Sequence, residues 1–239
     1  MDVSSGRRDT GWLIDELSFA GSENLDATHV ARYDAKEDAG PAAEVALLER
    51  LGLGRESLVV EFGAGTGQFT VEVAPKCACV VAVDVSAPML ETLRAKVADL
   101  GLGNVAVVPA GFLTYEHDRP PADFIYSRLA LHHLPDFWKA VALARMRRML
   151  RTGGVLRLWD VIYDFDPPEI ERRIGDWCAT GGDSPATEWS SSELEDHVRD
   201  EHSTFTWLIE PMFERCQLRI VERECSDDGI FARYVLRAG

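Results

Sequence analysis

The rhythm of apolar and polar positions changes along this chain in a way that separates strands from helices. Between residues 58 and 161, short apolar runs recur, and most are followed by a longer stretch with helical spacing. Leu58–Phe62, Cys79–Asp84, 104–109, 123–127 and 155–161 read as strands. Residues 67–74, 88–100 and 136–150 read as helices. The second has Ser86 as N-cap and Gly101 past its end, and Gly153-Gly154 stops the third. Upstream, 26–36 and 42–51 are also helical. This alternation argues for a parallel sheet with helices on both faces. After Asp160 the pattern becomes helical and loop-like through 163–205, rich in Trp, Ser, Asp and Pro. Asp166-Pro167-Pro168 opens one helix there, and the Ser192 and Glu195 capping-box spacing opens another. Strand patterns return at 218–225 and 230–237, joined by Ser226-Asp227-Asp228-Gly229, a hairpin signal.

Composition narrows the partners. A chain of 239 residues suits one α/β domain with additions, or two small domains, and a hydrophobic fraction of 46% supports a sizeable core. The net charge of −15 repels phosphate backbones and anionic lipid, so neither nucleic acid nor membrane is an expected partner. Arg145, Arg147, Arg148 and Arg151 read as the solvated face and cationic end of one helix. There is no apolar run of ~18 residues, and the polar first ten residues lack a signal-peptide core. Five cysteines without a CxxC pair read as free thiols, which suits a reducing cytoplasm. A monomer and a homodimer both remain open.

The chemistry concentrates at Glu61-Phe62-Gly63-Ala64-Gly65-Thr66-Gly67, where a buried strand feeds a glycine turn and then a helix. Such a turn brings bare backbone and helix N–H groups to a ligand. A dinucleotide fingerprint has its third glycine five residues after the first; Gln68 stands there, and the third glycine comes one residue earlier. The segment resembles the first motif of class I S-adenosylmethionine (SAM)-dependent methyltransferases, acidic-x-Gly-x-Gly-x-Gly, at every fixed position. The resemblance covers about 42–238. It implies a Rossmann-like, seven-stranded, mostly parallel sheet with an antiparallel last strand and helices on both faces. Residues 1–41 then form an N-terminal helical lid, 42–239 the methyltransferase domain, and 163–205 a helical insertion.

Asp84 ends the second strand beside the glycine turn, where a carboxylate can accept from a ribose diol. The competing role, N-cap of the next helix, is already offered by Ser86. The resemblance implies SAM contacts from Glu61, Gly63, Ala64, Gly65 and Gly67, and from Val85 and Met89 around the adenine. It usually places an acid near Gly111; this chain has none, so the backbone of Gly111 and Phe112 takes that role. The stretch from Asp123 to Pro135 resembles the strand-four motif of small-molecule methyltransferases, which ends in Leu-His-His-Leu. It implies that Ser127 and Arg128 meet the methionine part of SAM, and that Tyr33 reaches it from the lid.

Adjacent histidines on a helix diverge by about 100°, so His132 and His133 suggest no metal site. Each reads either as a helix cap or as a general base. The catalytic candidates are His132, His133, Asp160 and Tyr163. Trp159, Trp177, Trp189, Trp207 and Phe205 are candidates to line an acceptor pocket. The expected function is transfer of a methyl group from SAM to a small molecule by in-line displacement. The alternatives are a SAM-binding sensor or assembly protein without turnover, a nicotinamide-dependent oxidoreductase, and a protein or RNA methyltransferase.

Overall fold

The structure is a computed structural model that describes residues 11–37, 40–182 and 189–239; the side chains of Ser22 and Glu23 are outside the description. Its elements in chain order are α1 (Ser22–Leu25), α2 (Ala27–Lys36), α3 (Pro41–Arg50), β1 (Leu58–Phe62), α4 (Gln68–Val73), β2 (Cys79–Asp84) and α5 (Ala87–Asp99). Then follow β3 (Val105–Pro109), β4 (Ala122–Arg128), α6 (Asp136–Met149), β5 (Leu150–Tyr163), α7 (Ile170–Cys178) and α8 (Ser191–Asp200). A two-residue β6 (Thr204–Phe205), α9 (Thr206–Arg215), β7 (Leu218–Cys225) and β8 (Phe231–Ala238) complete the chain.

The seven long strands lie in the order β3-β2-β1-β4-β5-β8-β7, with β6 paired to the end of β5. β8 runs antiparallel to both its neighbours, and the other long strands are mutually parallel. This is the Rossmann-like sheet expected above. Both faces of the sheet centre are covered, so β1, β2 and β4 are largely buried on both sides. Val60, Phe62, Val81 and Ile125 pack under α6 and α9. Val59, Val80 and Phe124 alternate to the opposite face, under α3 and α4.

Two boundaries differ from the sequence reading. α6 runs straight into β5 at Leu150, and Gly153-Gly154 lie inside that strand rather than stopping the helix. β5 therefore carries Asp160 and Tyr163 out to the carboxyl edge of the sheet. The cap of α8 is Ser190 with Glu193, which bond reciprocally, not Ser192 with Glu195. Helix α5 starts as expected, with the Ser86 hydroxyl accepting from the Met89 N–H. All five cysteines are free thiols. No helix among the described residues is long and apolar enough to cross a membrane.

Candidate functional site

Two cavities open at the carboxyl ends of the parallel strands, where ligands bind in open α/β sheets. The smaller, about 100 Å³, is built on the glycine turn after β1. Gly63 and Gly67 have left-handed backbones and sit against other chain: an added Cβ would lie 2.2 Å from Ala130 Cβ and 2.1 Å from Leu93 Cδ1, respectively. Gly65, also left-handed, has only Met89 Sδ nearby, at 3.9 Å, so its exposed backbone faces open space. Asp84 braces the turn. Its carboxylate accepts the Gly65 and Ser86 N–H groups, each at 2.8 Å, and burial raises its pKa.

Nine of the expected cofactor residues line this cavity: Tyr33, Gly63, Gly65, Asp84, Val85, Met89, Gly111, Phe112 and Arg128. Glu61, Ala64, Gly67 and Ser127 do not. Glu61 points away under the turn and accepts the Thr70 hydroxyl, tying β1 to α4; burial pushes its carboxyl up to about 8. Ala64 packs with Leu90 and Leu93 of α5, and Ser127 is fully enclosed. Arg128 is paired with Glu37 at 3.1 Å and lies over the Trp159 ring, 4.4 Å from its centroid.

The sequence reading missed Glu16. This N-terminal residue is buried against the turn after β3, where its carboxylate accepts the Leu113 N–H at 3.0 Å and the Thr114 hydroxyl at 3.1 Å. Its second oxygen, Oε1, is buried without a hydrogen-bond partner among the described residues. Glu16 lines the small cavity, so an acid does stand beside Gly111, delivered from another part of the chain. The only sequence signal was the glycine: a Cβ at residue 111 would lie 2.3 Å from Glu16 Oε1.

The larger cavity, about 1070 Å³, lies between the N-terminal segment, α7, α8 and the sheet edge. It shares Asn24, Tyr33, Leu129 and His133 with the smaller one, so the two meet at those side chains. Leu129 holds a left-handed φ of 47°, strained for a leucine, and its N–H donates to Trp159 O at 2.8 Å. The walls are tied together. Asp34 fastens α2 to Thr66, Gln68 and Lys96. Lys36 reaches Glu193 of α8 at 2.7 Å, and Glu37 accepts the Trp189 indole N–H at 2.8 Å. Trp177 and Trp189 line the space, whereas Trp159, Trp207 and Phe205 do not. Trp159 is held between Arg128 and Arg233, Trp207 is largely exposed, and Phe205 packs on Tyr163. Tyr163 is likewise core, against Phe165 and Phe205, and lines neither cavity.

His132 and His133 sit on a single 3₁₀ turn, Leu131–His133, rather than on an α-helix. Their rings therefore stay together, with centroids 4.3 Å apart. Asp160 holds that turn by accepting the Leu131 and His132 N–H groups, and its other oxygen is 2.5 Å from His132 Nδ1. His132 Nε2 faces Glu201 Oε2 at 2.8 Å. Burial works against a charged His132, but the two carboxylates outweigh it and raise its pKa to about 10. Burial, and then the charge of His132, push His133 down to about 3. His132 is thus an imidazolium clasped between carboxylates at neutral pH, and His133 is the neutral ring. Glu201 and His197, the other members of this cluster, gave no recognisable motif.

Residues 59–154 match the methyltransferase-domain family. The similarity to the methyltransferase-domain family lies in that segment, less than half of the chain. An uncharacterized methyltransferase of Anoxybacillus flavithermus is 34% identical over 107 residues, which is 45% of this chain and 48% of the relative. The chain thus spans about half the length of the curated relatives it matches. The magnesium protoporphyrin IX methyltransferase of Synechocystis, solved with bound SAM, superposes with a TM-score of 0.64 at 14% identity, covering 95% of this chain and 99% of that one. A phosphoethanolamine N-methyltransferase of Haemonchus contortus, solved with phosphomonomethylethanolamine and S-adenosylhomocysteine, gives 0.65 at 18% identity, covering 89% of this chain and 46% of that one. The matched family segment contains the glycine turn, Asp84, Gly111 and the His132-His133 turn. Glu16, Tyr33, His197 and Glu201 lie outside it, so the matched segment shares the lining of the two cavities with flanking chain.

Proposed function

We propose that this protein binds SAM in the smaller cavity and methylates a small molecule held in the larger one. The observation that carries this reading is the junction of the two cavities at Asn24, Tyr33, Leu129 and His133. A methyl group can pass there without crossing solvent. The lining of the smaller cavity fits the cofactor. Open backbone at Gly65 suits a close ligand, Asp84 suits a ribose diol, and the unpartnered Glu16 Oε1 suits the adenine amino group. When bound, SAM supplies a sulfonium methyl group to an in-line nucleophile.

What the protein adds is alignment and exclusion of water. Tyr33 and Leu129 form the partition between donor and acceptor. The ties from Lys36 to Glu193 and from Glu37 to Trp189 hold the N-terminal lid against the insertion over the acceptor. The larger cavity is lined by Glu37, Glu193, Asp196, Asp200 and Glu201, and no lysine or arginine lines it among the described residues. Glu37, Glu193, Asp196 and Glu201 are paired with Arg128, Lys36, Arg199 and His132, so the preference rests on Asp200, Trp177 and Trp189, which favour an amine-bearing or neutral acceptor over an anionic one. His132, already protonated, is not the base in this reading, and His133, held neutral at the junction by burial and the His132 charge, is too weakly basic to be one, so the pair positions the acceptor. The test is SAM-dependent formation of S-adenosylhomocysteine across amine, hydroxyl and carboxylate acceptors. Turnover with amines supports the reading. SAM binding with no turnover on any acceptor would favour the sensor role.

A further inference from the structure

Five of the six histidines of this chain, all but His117, line the larger cavity, and three of them converge on one carboxylate oxygen. Glu201 Oε2 lies 2.8 Å from His132 Nε2, 2.7 Å from His197 Nδ1 and 3.9 Å from His133 Nδ1. The ligand atoms of His132, His133 and Glu201 all fall within 4.8 Å of one another. We propose that His132, His133 and Glu201, with His197 bonded behind Glu201, form a binding site for one divalent transition-metal ion of the zinc or iron(II) class.

Three observations favour a metal over a plain ion-pair cluster. First, the outward nitrogens are already held. His132 Nδ1 contacts Asp160 at 2.5 Å and His197 Nε2 contacts Ser203 Oγ at 2.9 Å, while their inward nitrogens face the shared oxygen. Fixing the far nitrogen, as at His132, is how ligating histidines are oriented. Second, one inward nitrogen is left unsatisfied. Among the described residues, His133 Nδ1 is buried without a hydrogen-bond partner, and the proton that His132 Nε2 now shares with Glu201 is the one an ion would displace. Third, the spacing is right. Metal–ligand distances of about 2.0–2.2 Å in a tetrahedron separate ligands by roughly 3.4 Å, and the His132–Glu201 and His133–Glu201 separations of 2.8 and 3.9 Å come within reach of that value by small side-chain shifts. Imidazole nitrogens select zinc, iron, nickel or copper, whereas magnesium requires an oxygen shell.

The two rings do not diverge as adjacent α-helical residues would, because they share a 3₁₀ turn that Asp160 clamps. His133 also lines the smaller cavity, so the ion would sit at the junction. If the methyl-transfer reading holds, an ion there, with its fourth position open to the acceptor, would act as a Lewis acid, lowering the pKa of a coordinated hydroxyl or amine so that it attacks as its conjugate base. The metal site itself does not depend on that reading.

The test uses the full chain, dialysed against chelator and titrated with Zn²⁺ alone by calorimetry and with Co²⁺ alone by its visible d–d absorption. The expected result is one ion per chain and an intense d–d band, with no Mg²⁺ uptake. His133→Ala should weaken Zn²⁺ binding by more than the about 10–100-fold that removal of an orienting partner costs. Ser203→Ala should weaken it by about 10-fold, and His117→Ala should leave it unchanged. Wild-type protein that takes up no stoichiometric Zn²⁺, or that binds it equally well as folded His133→Ala, would overturn the proposal. SAM titration of the same samples separates the two claims: zinc without SAM refutes the methyltransferase reading alone, and SAM without zinc refutes the metal site alone.

Discussion

Replacing Gly111 by alanine tests the most local dependence in the site. The backbone there is not left-handed, so alanine carries no conformational penalty. The new methyl would instead lie 2.3, 2.4 and 2.6 Å from Glu16 Oε1, Cδ and Oε2, which displaces that carboxylate entirely. Glu16 then loses its bonds to the Leu113 N–H and the Thr114 hydroxyl. If Glu16 Oε1 accepts the adenine amino group, the cofactor loses one hydrogen bond to a charged acceptor, worth about 1.5–3 kcal/mol. At 1.4 kcal/mol per decade, that is a SAM affinity lower by about 10- to 150-fold. Calorimetry with SAM on Gly111→Ala and on Glu16→Ala checks it. Because both changes remove the same contact, their losses should coincide and should not add in the double variant. Full SAM affinity in folded Gly111→Ala would refute the role assigned to Glu16.

Asp84→Ala leaves the Gly65 and Ser86 N–H groups unpaired and removes the ribose acceptor; SAM affinity should fall at least about tenfold by calorimetry, and an unchanged value in folded protein would contradict the assignment. Glu44→Ala strands Arg157, which is buried and bonded to Glu44 at 2.7 and 2.8 Å. It should cost about 3–5 kcal/mol by urea titration; a loss below about 1 kcal/mol would count against that pairing. Burial raises the Glu61 carboxyl from 4.5 to about 8, so its stabilising contribution belongs to the neutral form, is complete below about pH 4.5 and is lost as pH climbs through about 8. Glu61→Gln should therefore flatten the decline in melting temperature over that interval, and an identical pH profile would contradict a buried neutral Glu61.

What was legible in the chain was local. β1, its glycine turn and α4 are written in one contiguous segment, as are Asp84 and the Ser86 cap of α5, because an apolar run, a left-handed glycine and an N-cap hydroxyl each act within a few residues. Glu16 was not legible, because it docks 97 residues away from Leu113 and nothing in its own neighbourhood marks a carboxylate for burial. Glu201 and His197 were hidden for a similar reason: they sit at the end of a short polar helix whose inward side is set only when α8 packs over the cavity. Glu61 stands two residues before the turn, but strand alternation turns its side chain toward Thr70 rather than into the cavity. The divergence expected of His132 and His133 assumed α-helical geometry, which the Asp160-clamped turn does not have.

The central claim is that the smaller cavity takes SAM. Calorimetric titration of the cofactor-stripped full chain with SAM, S-adenosylhomocysteine and NAD in parallel tests it most directly. The account predicts one site of micromolar or tighter affinity for the first two ligands and none for NAD. Binding of NAD alone, or of none of the three, would contradict it.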